Sequence, residues 1–449
     1  MLDLLSGKIR GRKLKIGILG LGKSNLGILG YLNARGIDYD LTIRSDAIPN
    51  EMIPASRVFA GRDALCDIDE DILFLSPSVR RDRAELAAAA RRGTLLSSDA
   101  ELFFASTGTK VFAVTGSDGK STTTYLISEF LNRARVAAAP AGNFGVSLCS
   151  LGDSVEAVAC ELSSFQLMYL SPTSLRAVVT NLTPNHLNWH KDFDEYSAAK
   201  ANILKNARDI IIDYDSEMLL PLVGNYKLFA VTSSNLCYSE LKQKIYSENY
   251  LTLENNAVFL NGAPYFSLDN AKRRESYNLR NYMLAAATTL GIAHKSDIEN
   301  TLETFGGLPH RAELIANRGG ISYINSSIDS SPERTLKTLR ALSGHVSVII
   351  GGAGKGLALN ALAEELPKLT AGAVLMGAVG RELAEIFGTN GTSYKFTFAE
   401  EMMGAVKAAA NLLDAGGTVI LSPAATSFDR YRNFEERGLD FKNAVLALS

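Results

Sequence analysis

At 449 residues the chain is long enough for about three domains of ~150 residues each. With 46% hydrophobic and 21% charged residues it has the profile of a globular protein with several cores, and 46 Lys+Arg against 48 Asp+Glu leave a formal charge of -2. That balance argues against a general nucleic-acid binder or a membrane-surface protein, both of which carry a basic excess. No run approaches the ~20 apolar residues of a membrane span, and the opening Met-Leu-Asp-Leu-Leu lacks the order of a secretion signal. The four cysteines, Cys66, Cys149, Cys160 and Cys237, form no CxxC pair and read as small core thiols of a cytoplasmic protein.

In chain order, Leu14 to Gly22 reads as a buried strand entering a glycine turn, and Leu26 to Arg35 as a helix closed by Gly36. Tyr39 to Ile43 and Asp71 to Leu75 are further strands, the second leading to a helix from Arg81 to Arg92. This β-then-α alternation predicts a parallel sheet wrapped by helices. Small polar residues near Ala105–Thr109 end that unit. A second begins with the strand Val111–Val114, a glycine-rich loop and a helix from Ser121 to Leu131. Val155–Glu161, Leu175–Asn181 and Asp209–Asp213 follow as strands. From about Tyr226 to Ser267, short alternating runs with turns such as Asn261-Gly262 predict a small antiparallel flap. After a helix from Leu279 to Leu290, Gly306-Gly-Leu-Pro309 marks a hinge. A third unit places strands at His345–Ile350, Ala371–Met376 and Thr418–Leu421. The expected boundaries are 1–107, 108–307 and 308–449.

The strongest chemical signal is Thr115-Gly-Ser-Asp-Gly-Lys-Ser-Thr122, directly after a strand and before a helix. Glycines there let backbone N–H groups surround phosphate oxygens, the helix N-terminus adds positive potential, and Lys120 neutralises the β- and γ-phosphates. Ser121 has the reach of a ligand to phosphate-bound Mg²⁺. Only Ser117 and Asp118 separate Gly116 from Gly119, so the pattern is shorter than Walker A. In the first unit, Gly20-Leu-Gly-Lys-Ser-Asn25 has Asn25 where a dinucleotide fingerprint requires a third glycine, which disfavours NAD.

Glu161 ends the strand one beyond the phosphate loop, where a carboxylate typically holds Mg²⁺; alone it would be a solvated strand end. His186 and His190 have an i, i+4 spacing like a zinc helix, but no Glu accompanies them and Pro184 places them at a helix start. Lys200, taken alone, is an ordinary surface lysine. Gly351-Gly-Ala-Gly-Lys-Gly356 lacks Ser or Thr after Lys355, so that lysine faces either a substrate carboxylate or a plain crossover turn. The hydroxyls of Ser422-Pro-Ala-Ala-Thr-Ser-Phe-Asp429, after the last strand, are expected to face a crevice.

Taken together, these motifs resemble the Mur ligases, over essentially the full length and in the same order. The likeness rests on TGSDGKST at Thr115–Thr122, Glu161-Leu-Ser-Ser-Phe-Gln-Leu167, Gly307-Leu-Pro-His-Arg311, and the segments Leu421–Asp429 and Arg432–Gly438. It implies an α/β protein with a Rossmann-like N-terminal domain, a central P-loop ATPase-like domain and a Rossmann-like C-terminal domain. It also implies ATP-driven addition of D-glutamate to UDP-N-acetylmuramoyl-L-alanine through an acyl phosphate, by a monomer with small-molecule partners. Residue by residue, it implies ATP contacts from Gly116, Ser117, Asp118, Gly119, Lys120, Ser121, Thr122, Asn281 and Arg311. Ser121, Glu161, His186 and a carbamylated Lys200 would hold two Mg²⁺ ions. Gly22, Lys23, Ser24, Arg44, Asn143, Ser163 and Gln166 would meet the UDP-substrate, and Lys355, Ser427 and Phe434 the D-glutamate.

The chain departs from that pattern where Asp-Ser-Lys-Ala-Thr becomes Ser326-Ser-Ile-Asp-Ser330. Asn185 and Asn188 likewise stand where acidic residues usually flank the metal histidine. Another amino-acid ligase of the same superfamily, including a folylpolyglutamate synthase, is the nearest alternative. A small-molecule kinase would need an acceptor base and explains neither the third domain nor the Ser422 segment; a nucleotide-binding regulator would bind ATP without amino-acid-dependent hydrolysis.

Overall fold

The computed structural model describes residues 5, 13–45, 53–152, 155–224, 226–234, 247–274, 276–354, 358–389, 391, 393–413, 416–427 and 429–448. The chain divides into two compact units, Met1–Phe305 and Gly306–Ser449. Among the described residues the strands form three sheets, two in the first unit and one in the second.

The first sheet holds β1 (Leu14–Leu19), β2 (Tyr39–Ser45), β3 (Arg57–Ala60), β4 (Ile72–Leu75) and β5 (Leu95–Ser97), in the order β3-β2-β1-β4-β5. All its pairings are parallel. Parallel strands are covered on both faces, so they read as continuous apolar runs; Ile72, Leu73 and Phe74 are each fully buried. The helix expected from Arg81 starts at Ala84, because Arg83 is extended and the two arginines before it are drawn into ion pairs with Glu195 and Glu101. Cys149 and Cys160 are core residues, Cys66 is exposed, and Cys237 lies outside the described residues.

The second sheet runs β14-β13-β12-β11-β10-β9-β6-β8-β7. Its strands are β6 (Lys110–Thr115), β7 (Ala138–Gly142), β8 (Ala157–Glu161), β9 (Thr173–Val179), β10 (Asn206–Asp213), β11 (Leu228–Thr232), β12 (Ser247–Glu254), β13 (Ala257–Leu260) and β14 (Ala263–Ser267). The expected flap is therefore the far edge of this sheet and not a separate layer. β11 and β12 continue the parallel order, and only β12-β13-β14 are antiparallel. Asn255-Asn256 and Asn261-Gly262 close these two hairpins with positive φ at both positions, the twist-matched turn that two-residue loops prefer.

In the second unit, β15 (Glu313–Arg318), β16 (Ile321–Asn325), β17 (Val346–Gly351), β18 (Gly372–Met376), β19 (Phe396–Phe398) and β20 (Gly417–Leu421) form the order β15-β16-β20-β17-β18-β19. Only the edge pair β15-β16 is antiparallel.

One expected ligand contact proves to be part of the fold. Arg44, on β2, is 0% exposed. Its five N–H groups donate to Glu70 at 3.0 and 2.8 Å and to the carbonyls of Ala64, Cys66 and Asp67 at 3.1, 2.7 and 3.0 Å. With every side-chain donor engaged and none facing solvent, the Arg44 guanidinium anchors the turn after β3. Removing one partner of a buried pair strands the other charge. Arg44→Ala is expected to lower the unfolding free energy by about 3–5 kcal/mol in denaturant titration; a change within error would contradict this role.

Candidate active site

The residues Gly116–Thr122 join the C-terminal end of β6 to the helix Lys120–Arg133. Glycine is required twice in this loop. Gly116 has φ 144° and a Cβ there would lie 1.9 Å from Thr180 Oγ1; Gly119 has φ 81° and a Cβ would lie 2.4 Å from Asn281 Oδ1. The loop is held from the end of β9: the Asp118 N–H donates to Asn181 Oδ1 at 2.9 Å, and Asn181 and Thr180 donate to the Asp118 carbonyl. Ser117 is buried, its hydroxyl donating to the Thr183 carbonyl at 2.9 Å and lying 2.8 Å from the Tyr196 hydroxyl. The Lys120 ammonium folds back onto the Gly116 and Ser117 carbonyls at 2.9 and 2.8 Å. Ser121 and Thr122 are buried in the first turn of the helix.

Glu161 sits at the adjacent strand end, paired in register with Val114. It is 1% exposed; Oε1 accepts the Asn143 amide at 2.6 Å, while Oε2 is buried without a hydrogen-bond partner. Lys200, which taken alone reads as a surface lysine, is 2% exposed. It lies on the inward face of the helix Phe193–Ala201 with Tyr196, Ser197 and Ala199. Its amine donates to the Gly116 carbonyl at 2.7 Å and the Thr115 hydroxyl at 3.3 Å. Burial, assisted by the Lys120 charge, holds the Lys200 amine well below its ordinary pKa, while Glu161 and Asp118 oppose this.

The two histidines part company. His186 is exposed with φ 56°, its N–H donating to Asn185 Oδ1 at 2.8 Å and its ring edge-on to Phe165. His190 is buried, with Nε2 2.9 Å from the Ser164 hydroxyl and Nδ1 3.4 Å from Glu195, and burial lowers its pKa. Among the described residues no three His, Cys, Asp or Glu side chains gather in a metal-holding group. The buried, unpaired Glu161 oxygen still suits a hard cation.

Asn281 reaches the loop from the helix Ser276–Thr288, its Oδ1 accepting from Thr123 at 3.3 Å. On the first sheet, Gly22 precedes the helix Lys23–Ala34, the Lys23 ammonium donates to the Gly145 carbonyl, and the Ser24 carbonyl accepts from Ser147. Asn25 explains the altered fingerprint: its buried amide donates to the Leu19 and Gly20 carbonyls at 3.1 and 2.7 Å, tying the turn that a third glycine would leave open. Ser163 and Gln166 form a capping box on the short helix Ser164–Leu167, so their polar groups chiefly face each other.

In the second unit, Ser427 is buried, its carbonyl closing a turn with Arg430 and Tyr431; Phe434 begins the helix Phe434–Leu446 with the His310 ring edge-on to it. Arg311 follows His310 in the turn before β15, and Lys355 lies outside the described residues. Ser422 does not face a crevice: it is 0% exposed, 2.9 Å from Asp329 and 3.0 Å from Thr335. Arg437, inside the Arg432–Gly438 block, carries no local mark of its burial. It is 3% exposed, bonded to Ser327 and the Ala425 carbonyl, and burial brings its pKa down to about 10.

Comparison with known proteins fits this geometry. The family model of the Mur ligase middle domain matches residues 114–289, which span the phosphate loop, Glu161, His186, Lys200 and Asn281. The UDP-N-acetylmuramoylalanine–D-glutamate ligase of Ruminiclostridium cellulolyticum is 32% identical over 96% of both chains. That of Clostridium botulinum is 33% identical over 97% of both. The chain belongs to the Mur ligase family.

As a Mur ligase it is an ATP-dependent enzyme that forms amide bonds. Its fold is also that of the UDP-N-acetylmuramate-alanine ligase MurC of Thermotoga maritima, with a TM-score of 0.58 at 17% identity over 96% of this chain and 100% of that one. The MurF ligase of Thermotoga maritima, solved in complex with ADP, gives 0.54 at 16% identity over 99% of both. Two outcomes follow for this Mur ligase. Gly119→Ala places a methyl group against Asn281 at a left-handed φ, so calorimetric affinity for Mg·ADP is expected to fall roughly tenfold or more; retained affinity would contradict the loop geometry. The unmodified Lys200 amine binds a proton more readily unfolded than folded. Its contribution to stability therefore grows as pH rises toward 10.5. The melting temperature of the native chain should gain on that of Lys200→Met across alkaline pH; parallel curves would refute the buried-amine assignment.

Proposed function

We propose that the chain joins the alanyl carboxylate of UDP-N-acetylmuramoyl-L-alanine to the amine of D-glutamate, converting ATP to ADP and phosphate. The observation that carries this reading is the meeting, at one sheet edge, of a preformed phosphate loop, a buried carboxylate oxygen without a partner and a buried amine. Full-length identity to the D-glutamate ligases supports the choice of substrates.

A carboxylate is a poor electrophile, so it is first converted to one. Its oxygen bonds to the γ-phosphorus of ATP as the bridging bond to ADP breaks, giving an acyl phosphate. The D-glutamate nitrogen then adds to the acyl carbon, the carbon–oxygen bond to phosphate breaks, and the amine releases a proton. The protein's task is to align anions and offset their charge. The N–H groups of Gly116–Thr122 cradle the phosphates, and Lys120 exchanges its two loop carbonyls for phosphate oxygens. Ser121, Glu161, His186 and Lys200 would hold two Mg²⁺ ions, which supply charge neutralisation for the phosphates.

Lys200 enters that set as a carbamate: its neutral nitrogen adds to CO₂ and loses a proton, so the buried amine becomes an anion facing the cation. Asn281 and Arg311 contact the nucleotide; Gly22, Lys23, Ser24 and Asn143 take the UDP-substrate, on a surface shaped by Ser163 and Gln166; Lys355, Ser427 and Phe434 take D-glutamate. Asn185 and Asn188 leave less negative charge around His186 than acidic residues would.

ADP release with ATP, Mg²⁺ and the UDP-substrate is expected only with D-glutamate, and not with L-alanine, L-lysine or diaminopimelate; turnover independent of D-glutamate would overturn the assignment. Lys120→Ala should lower kcat by roughly 10²–10³-fold or more. Carbon-13 bicarbonate should give a carbamate resonance that Lys200→Arg abolishes, and its persistence in that variant would remove Lys200 from the metal set.

A further inference from the structure

The segment Ser76–Asp82 leaves the end of β4 and lies against the first glycine turn. The Ser76 N–H donates to the Leu19 carbonyl at 3.0 Å, Asn25 donates to Ser76 Oγ at 3.5 Å, and a Cβ on Gly20 would lie 2.4 Å from that oxygen. The same segment grips the loop that carries His186. The Trp189 indole N–H donates to the Ser78 carbonyl at 2.7 Å. Arg80 has a partner for each of its five N–H groups: a fork to Glu195 at 2.9 and 3.1 Å, the Trp189 carbonyl at 2.8 Å, and Asp82 for the remainder. Its guanidinium lies 5.0 Å from the Trp189 ring centroid, and Phe165 packs between that ring at 4.3 Å and the His186 ring at 5.1 Å. The His186 carbonyl accepts the N–H groups of both Trp189 and His190, so fixing those two residues fixes the backbone of the histidine at its left-handed φ.

We propose that Arg80 is a positioning residue which, through Glu195 and Trp189, couples the UDP-substrate edge of the first sheet to the cation site at His186. The inference rests on the proposed function only for the identities of the substrate and the cation. A planar fork with two carboxylate bonds sets orientation as well as distance, which a lysine at the same place would not do. Outer partners of metal ligands typically change metal affinity by one to two orders of magnitude when removed.

Trp189 is the single tryptophan of the chain, so its emission reports on this joint without labelling. The experiment titrates Mg²⁺ into the full chain with ADP, with and without UDP-N-acetylmuramoyl-L-alanine, and follows that emission. In the native chain the UDP-substrate is expected to shift the emission and to lower the half-saturating Mg²⁺ concentration. In Arg80→Ala the half-saturating Mg²⁺ should rise roughly tenfold and no longer respond to the UDP-substrate. Because coupling is reciprocal, the affinity for the UDP-substrate in saturating Mg²⁺ should fall by a comparable factor in Arg80→Ala, and Arg80→Lys should restore little.

Coincident titrations of the native chain and Arg80→Ala would overturn the coupling, as would a drop in melting temperature with no change in Mg²⁺ dependence. If Arg80→Ala does not fold, Glu195→Gln, which keeps the shape of the side chain, decides instead: a shift in the same direction supports the coupling and a coincident curve overturns it. Native enzyme without D-glutamate-dependent ADP release refutes the proposed function; native release with coincident Mg²⁺ titrations refutes only the coupling.

Discussion

A primary amine buried directly beneath a phosphate loop is the constraint around which the central site is organised. Lys200 is 2% exposed, and the atoms it bonds, the Gly116 carbonyl and the Thr115 hydroxyl, carry no charge. An ammonium there would lose most of its hydration for two neutral hydrogen bonds, which lowers the pKa of the amine against the opposing charges of Glu161 and Asp118. The helix that delivers it is docked by Tyr196, whose hydroxyl meets Ser117 inside the loop itself. Loop shape and lysine placement are therefore one structural fact. Glu161 presents the complementary problem, a buried carboxylate with one oxygen bonded to Asn143 and the other without a partner.

What could be read from the amino-acid order was what neighbouring residues decide among themselves. The phosphate loop is legible because strand, glycines, lysine and helix follow one another within a dozen positions. The two Asn-containing hairpins are legible for the same reason. The parallel continuation of β11 and β12 was not, since parallel partners are chosen across long connections that leave no local mark.

The burial of Arg44 and that of Lys200 were both illegible in the sequence, and for one reason. A charged side chain in a sequence looks solvated until its partner is known, and the partners are distant: Glu70 lies 26 positions from Arg44, and Gly116 lies 84 from Lys200. Arg44 on an apolar strand could have been suspected of burial, because β2 sits between β1 and β3. Lys200 carried a weaker signal in the inward Tyr196, Ser197 and Ala199 of its helix. Arg80 carried none, for its fork partner, Glu195, stands 115 positions away on the other sheet's side of the same unit.

The step on which the chemistry turns is phosphorylation of a carboxylate at the edge of the central sheet. Oxygen-18 placed in the alanyl carboxylate of the UDP-substrate tests it most directly. Transfer through an acyl phosphate leaves one labelled oxygen in the phosphate released per turnover, seen by mass spectrometry or as a phosphorus-31 isotope shift. Released phosphate free of label, with amide product formed, would contradict the claim.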